Sequence, residues 1–352
     1  MPPQVATRRR IDGIDLARGL AIIGMISVHV APPLVGDSGW YALPYGRSSS
    51  LFALVAGIGI VLATRRDTYL EASARLLWRA LWLAPLGVGL TALGTPVAVI
   101  LQYYAVWFLL AIPVLRAPPW LLAALTSVGI VIGPGVLVWA QVVHPEWYVA
   151  GRGVWLGEFG DVLLTGYYPT VSWIWLVYAG MLLARLDLSS TRVAVWLTGV
   201  GTVLATAAYV AADALRDAVD LGRWQPLLDT VGHADTPPEQ LASLGTAVAV
   251  LGVCLLLGQH AATLVRPGVA LGRFALTVYV GHLLVYAVAR PLLYSQTAAR
   301  GAMTTAAITL VGTGVAMAWL AVLPRGPLES LDRAGHRYLA IPLVRSIRER
   351  WS

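Results

Sequence analysis

Runs of roughly 20 mostly apolar residues, each enough to cross about 30 Å of hydrocarbon as a helix, recur along the whole chain. They leave no stretch large enough for a soluble domain. Of 352 residues 58% are hydrophobic and only 12% charged, with a mean hydropathy of +0.71, whereas an ordinary soluble domain carries about 25% charged residues. The expected fold is all-α: a polytopic membrane helical bundle of about ten transmembrane helices. Spans are placed near 13–33, 47–64, 74–94, 97–115, 119–142, 169–186, 193–212, 239–259, 269–291 and 302–323, with room for an eleventh, short helix in a loop. A single transmembrane domain over 1–325 and a basic cytoplasmic tail over 326–352 account for the chain.

The net charge of +7 is carried entirely by arginine, since the 25 basic residues include no lysine. With the N-terminus inside, 19 arginines fall on the cytoplasmic side and 6 on the other, and the acidic residues divide 8 to 10. Orientation follows the basic residues, so both termini are expected in the cytoplasm. The surplus is explained by the bilayer as partner and needs no nucleic acid. All-arginine usage and an N-terminus without organelle targeting favour a prokaryotic cell membrane, crossed many times. Cys254 is the single cysteine, which excludes an intramolecular disulfide and a thiolate metal cluster. The N-terminal "RRR" before an apolar run imitates a signal peptide, but that run holds Asp15 and Arg18 and lacks a small-residue cleavage site. It is expected to be retained as the first span.

Two outer loops, 144–168 and 213–239, are long and include Trp147, Tyr148, Trp155, Tyr167, Tyr168 and Trp224. They either form an interfacial aromatic belt or close over a site. The tail reads as an amphipathic surface helix lying on anionic headgroups. No internal repeat is evident, which counts mildly against an inverted-repeat transporter.

The first span, "DGIDLARGLAIIGMISVH", joins charge to grease. Eleven helical residues advance three turns plus about 20°, so Arg18 and His29 share a face about 16 Å apart along the axis. Asp15, three residues before Arg18, is placed to pair with it at the inner mouth. Gly19, Gly24 and Ser27 let neighbouring helices approach. Two readings stay open for each polar residue: Arg18 is a donor-side anion binder or a snorkelling anchor, and His29 is functional or marks the helix end before "APP".

A second histidine, His282, sits near mid-membrane in "GRFALTVYVGHLLVYAVAR", with Tyr279 and Tyr286 on its face. It is functional or a satisfied structural histidine. The fourth span adds Gln102, Tyr103 and Tyr104 to a polar path. No HExxH, Walker loop, GxGxxG or Gly-x-Ser-x-Gly elbow is present, and no metal is expected. What remains is histidine as general base, arginine as anion binder and a route between two membrane faces, which suits group transfer from a phosphorylated donor.

"IDGIDLARGLAIIGMISVH", "GRSSSLFALVAGIGI", "QYYAVWFLLAIPVL", "YYPTVSWIWLVYAGMLLARLDL", "GRFALTVYVGH" and "RGPLESL" together resemble the heparan-α-glucosaminide N-acetyltransferase and YeiB-like (DUF1624/DUF418-type) superfamily. The spacing from Arg18 to His29 is also similar to the Arg-x10-His pattern of membrane acyltransferase type 3 proteins. The resemblance implies a transmembrane acyltransferase fold that takes acetyl-CoA from the cytoplasm and acylates an amino or hydroxyl group, typically of a sugar, on the extracytoplasmic side. Less directly, it implies a homodimer. By matching position, His29 carries over as the catalytic candidate and Arg18 as part of the donor path. His282, at the end of "GRFALTVYVGH", is the second catalytic candidate. One departure stands out: the heparan branch has its active histidine in the first outer loop, where this chain reads "GDSGWYALPYG" and offers Trp40.

The expected donor site takes Arg18 with Asp15, joined by Arg79 and Arg273, from a wider set that also includes Arg65, Arg66 and Arg75. Trp40, Arg47, Gln102, Tyr103, Tyr104 and Tyr279 are the expected substrate- or pore-lining residues. A transporter of a small amphipathic or sugar-like solute is the alternative, as is a structural partner of envelope machinery.

Overall fold

The computed structural model describes residues 10–31, 43–146, 160–295 and 297–342. Trp40, Trp147, Tyr148 and Trp155 lie outside the described residues. Among the described residues there are twelve α-helices and no strand: α1 (Asp12–Val30), α2 (Arg47–Thr64), α3 (Tyr69–Thr91), α4 (Leu101–Ala111), α5 (Pro119–Val143), α6 (Thr170–Leu183), α7 (Thr191–Ala218), α8 (Pro237–His260), α9 (Ala262–Arg273), α10 (Ala275–Leu293), α11 (Ala298–Val322) and α12 (Pro327–Gly335). Seven of these, α1, α2, α5, α7, α8, α10 and α11, are long and apolar enough to cross a membrane, and α4 and α6 are shorter apolar helices.

The helix ends follow local chemistry. Thr68 and Glu71 form a capping box that starts α3 at Tyr69, ahead of the apolar run that suggests residue 74. Gly94, at φ +66°, and Pro96 hold the chain out of helix before α4, and the fourth expected span, 97–115, is helical only over the 11 residues Leu101–Ala111. The ninth expected span, 269–291, is divided: α9 ends at Arg273, Phe274 leaves helical geometry, and α10 begins at Ala275. Near its far end α10 is itself kinked at Ala289, just before Pro291.

α1 is the axis of the bundle and packs against α2, α8, α9, α10 and α11. Its glycine does what a small residue in a membrane interface does. A Cβ at Gly19 would stand 2.3 Å from Gly268 O of α9, so only a bare backbone permits that approach. Apolar side chains fill the interior, with Trp107, Trp173, Ile22, Ile26, Leu54 and Ile58 fully enclosed. Apolar side chains also cover the outside. In α11 only Gly301 and Ala316 are buried, while Met303, Leu310, Val311 and Val322 are exposed. An apolar perimeter around a core holding Asp15, Arg47, Glu239 and His282 suits hydrocarbon rather than water. The chain is a multi-pass membrane protein.

The described part of the tail packs against the bundle. Glu329 accepts hydrogen bonds from Leu276 N, Thr277 N and Thr277 Oγ1, capping the start of α10. Trp78 Nε1 donates to Asp332 O, and Arg79 pairs with Asp332 at 3.1 Å. Residues 327–342 thus floor one end of the bundle.

Candidate active site between two cavities

Two cavities flank α1, one at each end. The larger, about 780 Å³, is lined by Arg10, Arg18, Arg75, Arg79, Arg273, Arg325, Arg333 and Arg337. Against these eight arginines stand the carboxylates of Glu329 and Asp332, with Phe52, Tyr104, Phe108 and Tyr279 giving aromatic surface. Part of the charge is spoken for. Buried Asp15 accepts from Arg18 Nη1 at 2.9 Å and also pairs with Arg10, while Asp67 takes Arg75 and Asp332 takes Arg79. Arg325, Arg333 and Arg337 have no ion pair among the described residues, and Tyr104 Oη and Arg273 Nε have no hydrogen-bond partner among them. A cavity of this size falls within the range of small-molecule sites, and forked guanidinium donors suit phosphate oxygens. His336 of the tail also lines it, with both ring nitrogens unpartnered among the described residues; burial lowers its proton affinity.

The smaller cavity, about 350 Å³, is lined by His29, Tyr45, Ser49, Tyr167, Tyr168 and His233, with Met25, Val97 and Ala98 among its apolar walls. Among the described residues no arginine lines it. The eleven-residue spacing therefore does what helical geometry requires: Arg18 opens on one cavity and His29 on the other.

His282 and Tyr279 lie between. Tyr279 lines the arginine cavity and meets the His282 ring edge-on at 5.3 Å between centroids. His282 Nε2 is 3.1 Å from His29 Nδ1, and His282 Nδ1 is 3.2 Å from Val278 O. The carbonyl can only accept, so neutral His282 carries its proton on Nδ1 and presents Nε2 as an acceptor. His29 then donates from Nδ1. This fixes its tautomer and leaves Nε2 as the basic nitrogen for a reactant.

The other expected residues separate. Tyr104 and Tyr279 line the arginine cavity, as do Arg79 and Arg273. Arg65 and Arg66 line neither cavity, nor do Gln102 and Tyr103. Gln102 accepts a hydrogen bond from Thr91, and Tyr103 packs on Tyr168 and Trp107. Arg47, expected to line a pore, is instead buried in an ion pair with Glu239 of α8, and donates to Ser243 Oγ and Thr230 O, both at 2.6 Å, and to Tyr209 Oη at 2.8 Å. A charge that deep is held only where its donors find partners, and the partners here come from α7, α8 and the loop between them. Trp40 lies outside the described residues.

Sequence reasoning did not single out Arg10, the tail arginines, Tyr45, Ser49 or His233. The tail's Arg-rich, capped pattern "GPLESLDRAGHR" was a usable signal. Nothing in "TVGHADTPP" marks His233 beyond its place in a long aromatic loop.

Among the described residues no cluster of His, Cys, Asp and Glu suits a metal ion. A family model described as "Heparan-alpha-glucosaminide N-acetyltransferase, catalytic" matches residues 10–215, and one described as "Protein of unknown function (DUF418)" matches residues 182–338. No curated protein matches the chain. Arg18 and His29 fall in the first match, His233 and His282 in the second, so the site is assembled from both. The first match covers more than half of the 352 residues, and the chain belongs to the heparan-α-glucosaminide N-acetyltransferase catalytic family.

Proposed function

We propose that the protein transfers an acyl group, most simply acetyl, from acyl-CoA held at the arginine end to an amino or hydroxyl group of a sugar-like acceptor held at the histidine end. The observation that carries this reading is the His29–His282 hydrogen bond, placed between a cationic cavity and a neutral one. With about ten crossings and both termini in the cytoplasm, the arginine cavity opens to the cytoplasmic donor pool and the histidine cavity to the far side of a cell membrane.

Arg18, Arg273 and the tail arginines hold the nucleotide phosphates, and the thioester-bearing arm runs along α1 past Tyr104 and Tyr279. The acceptor lone pair attacks the thioester carbonyl carbon while His29 Nε2 takes the acceptor's proton. The carbon–sulfur bond breaks, and that proton passes to the departing CoA sulfur. His282 holds the His29 ring and, through its own fixed tautomer, stabilises the imidazolium that forms. It is a positioning residue, which refines its place as a catalytic candidate.

Calorimetry on detergent-purified protein, comparing acetyl-CoA with 3′-dephospho-CoA, tests the donor half. Saturable binding of acetyl-CoA, weaker without the 3′-phosphate, is expected. Absence of binding by folded protein at millimolar donor rejects the reading, and solute flux without release of CoA favours a transporter instead.

A further inference from the structure

The histidine cavity has a second imidazole, and it is held with unusual care. His233 and Asp235 are the non-glycine residues at positive φ among the described residues, at +62° and +51°. That is a conformation L-residues rarely adopt, and it persists only where the surroundings enforce it. Gly232 lies against Tyr45, where a Cβ would stand 2.3 Å from its carbonyl oxygen. Asp235 Oδ1 accepts from Trp173 Nε1 at 2.7 Å, and Arg47 grips Thr230 O from α2. The His233 ring stacks on Trp173 with centroids 5.4 Å apart and meets Tyr45 and Tyr168 edge-on. Stacking alone would be served by any aromatic side chain. What only histidine supplies is nitrogen. Nδ1 is 3.1 Å from Tyr167 O, which can only accept, so the proton is on Nδ1 and Nε2 is a bare lone pair. Burial brings the pKa of the ring down to about 4, so it stays neutral near pH 7.

Resting on the proposed function, we infer that His233 orients the acceptor: its Nε2 accepts a hydrogen bond from an N–H or O–H of the acceptor and turns the nucleophilic atom toward His29. Two unprotonated imidazole nitrogens then serve one small cavity, one holding the acceptor and one taking its proton.

Three measurements on the full chain decide this. The first is independent of turnover. Diethyl pyrocarbonate carbethoxylates an accessible unprotonated imidazole nitrogen, with loss of ethyl carbonate, so peptide mass mapping at pH 7 should find both His29 and His233 modified; His29 modified with His233 untouched overturns the inference. The second uses CoA release with D-glucosamine and glycerol as probe acceptors. His233→Asn keeps an amide N–H for Tyr167 O and tolerates the left-handed backbone, but removes Nε2. It should raise the acceptor KM tenfold or more with the acetyl-CoA KM unchanged, and His233→Gln, whose amide reaches the place of Nε2, should recover most of that loss. An unchanged acceptor KM in His233→Asn, an equal rise in both KM values, or wild-type protein that binds acetyl-CoA and transfers to neither probe each overturns the acceptor role. The third is donor calorimetry on the wild type. Its failure overturns the donor-cavity reading, and His233 falls with it, whereas intact donor binding with a failed His233 test leaves that reading standing.

Discussion

The two ends of the bundle solve opposite problems with opposite materials. At one end eight arginines from the N-terminus, α1, α3, α9 and the tail surround a broad cavity, and their charge is only partly paired. At the other, a cavity less than half that size is walled, among the described residues, by tyrosines, two histidines, Ser49 and apolar residues, and the buried Arg47–Glu239 pair stands outside its lining. On the proposed function, the first is a surface for a polyanion and works by charge, and the second is a place for a neutral reacting group and works by fixed hydrogen-bond geometry. α1 and α2 both reach from one cavity to the other, α1 through Arg18 and His29 and α2 through Phe52 and Ser49, so on the proposed function the helix that carries the motif also sets the distance between donor and acceptor.

The sharpest way to break this division is His29→Ala. It should cut CoA release by a factor on the order of 100 to 10,000, the usual worth of a general base, while leaving acetyl-CoA affinity within about twofold in the same general range expected of an untouched site. Stopped turnover with lost donor binding would mean that the ends are not separable.

The histidine end should also be the more fragile of the two in structure. Arg47→Ala leaves Glu239 buried without its partner, a change that costs about 3 to 5 kcal/mol in buried pairs. A large drop in thermal midpoint in detergent is expected, because α2, α8 and the loop carrying His233 all meet at that side chain. An unchanged midpoint would show that the pair does not hold the loop. At the arginine end the corresponding lever is salt. Raising KCl from about 50 to 500 mM shortens the Debye length from over 10 Å to under 5 Å, so acetyl-CoA binding should weaken several-fold while the acceptor KM hardly moves. Arg18→Ala should weaken donor binding roughly tenfold and reduce that salt dependence; an unchanged affinity would return Arg18 to the role of an anchor.

What the sequence made legible follows the same division. The helices were legible because each apolar run must satisfy its backbone internally in hydrocarbon, and the Arg18, His29 and Asp15 arrangement because it lies within one helix, where spacing fixes geometry. The ends of α3, α4 and α9 were less so, since a capping box, a left-handed glycine and a break at Phe274 are local events inside apolar stretches. The pairing of Arg47 with Glu239 joins positions 192 residues apart. No periodicity encodes such a contact, so a buried clamp was indistinguishable from a pore-lining cation. The docking of the tail through Glu329, and the meeting of His233 and His29 at one cavity, are likewise choices of tertiary packing. His282 was visible as a polar residue in a span, but its role depended on meeting His29.

The smallest effect expected is also the one that separates clamp from chemistry. Burial, followed by the nearby charge of Glu239, raises the Asp235 carboxyl from 3.8 to about 8, against the hydrogen bonds from Trp173 and Gln240 that favour its charged form. The folded protein therefore holds a proton that the unfolded chain has released, and stability contributed by that proton is present at low pH and declines as pH rises from about 4 through about 8. Asp235→Asn keeps an oxygen to accept from Trp173 Nε1 and removes the titration. The thermal midpoint of the wild type should thus fall between pH 6 and pH 9 in detergent by a few degrees more than that of Asp235→Asn, with donor affinity at pH 7 the same in both. Parallel midpoint curves would mean that Asp235 is ionised in the folded protein, held by Trp173 and Gln240 as a charge, and that the loop bearing His233 is stabilised as much by electrostatics as the arginine end is.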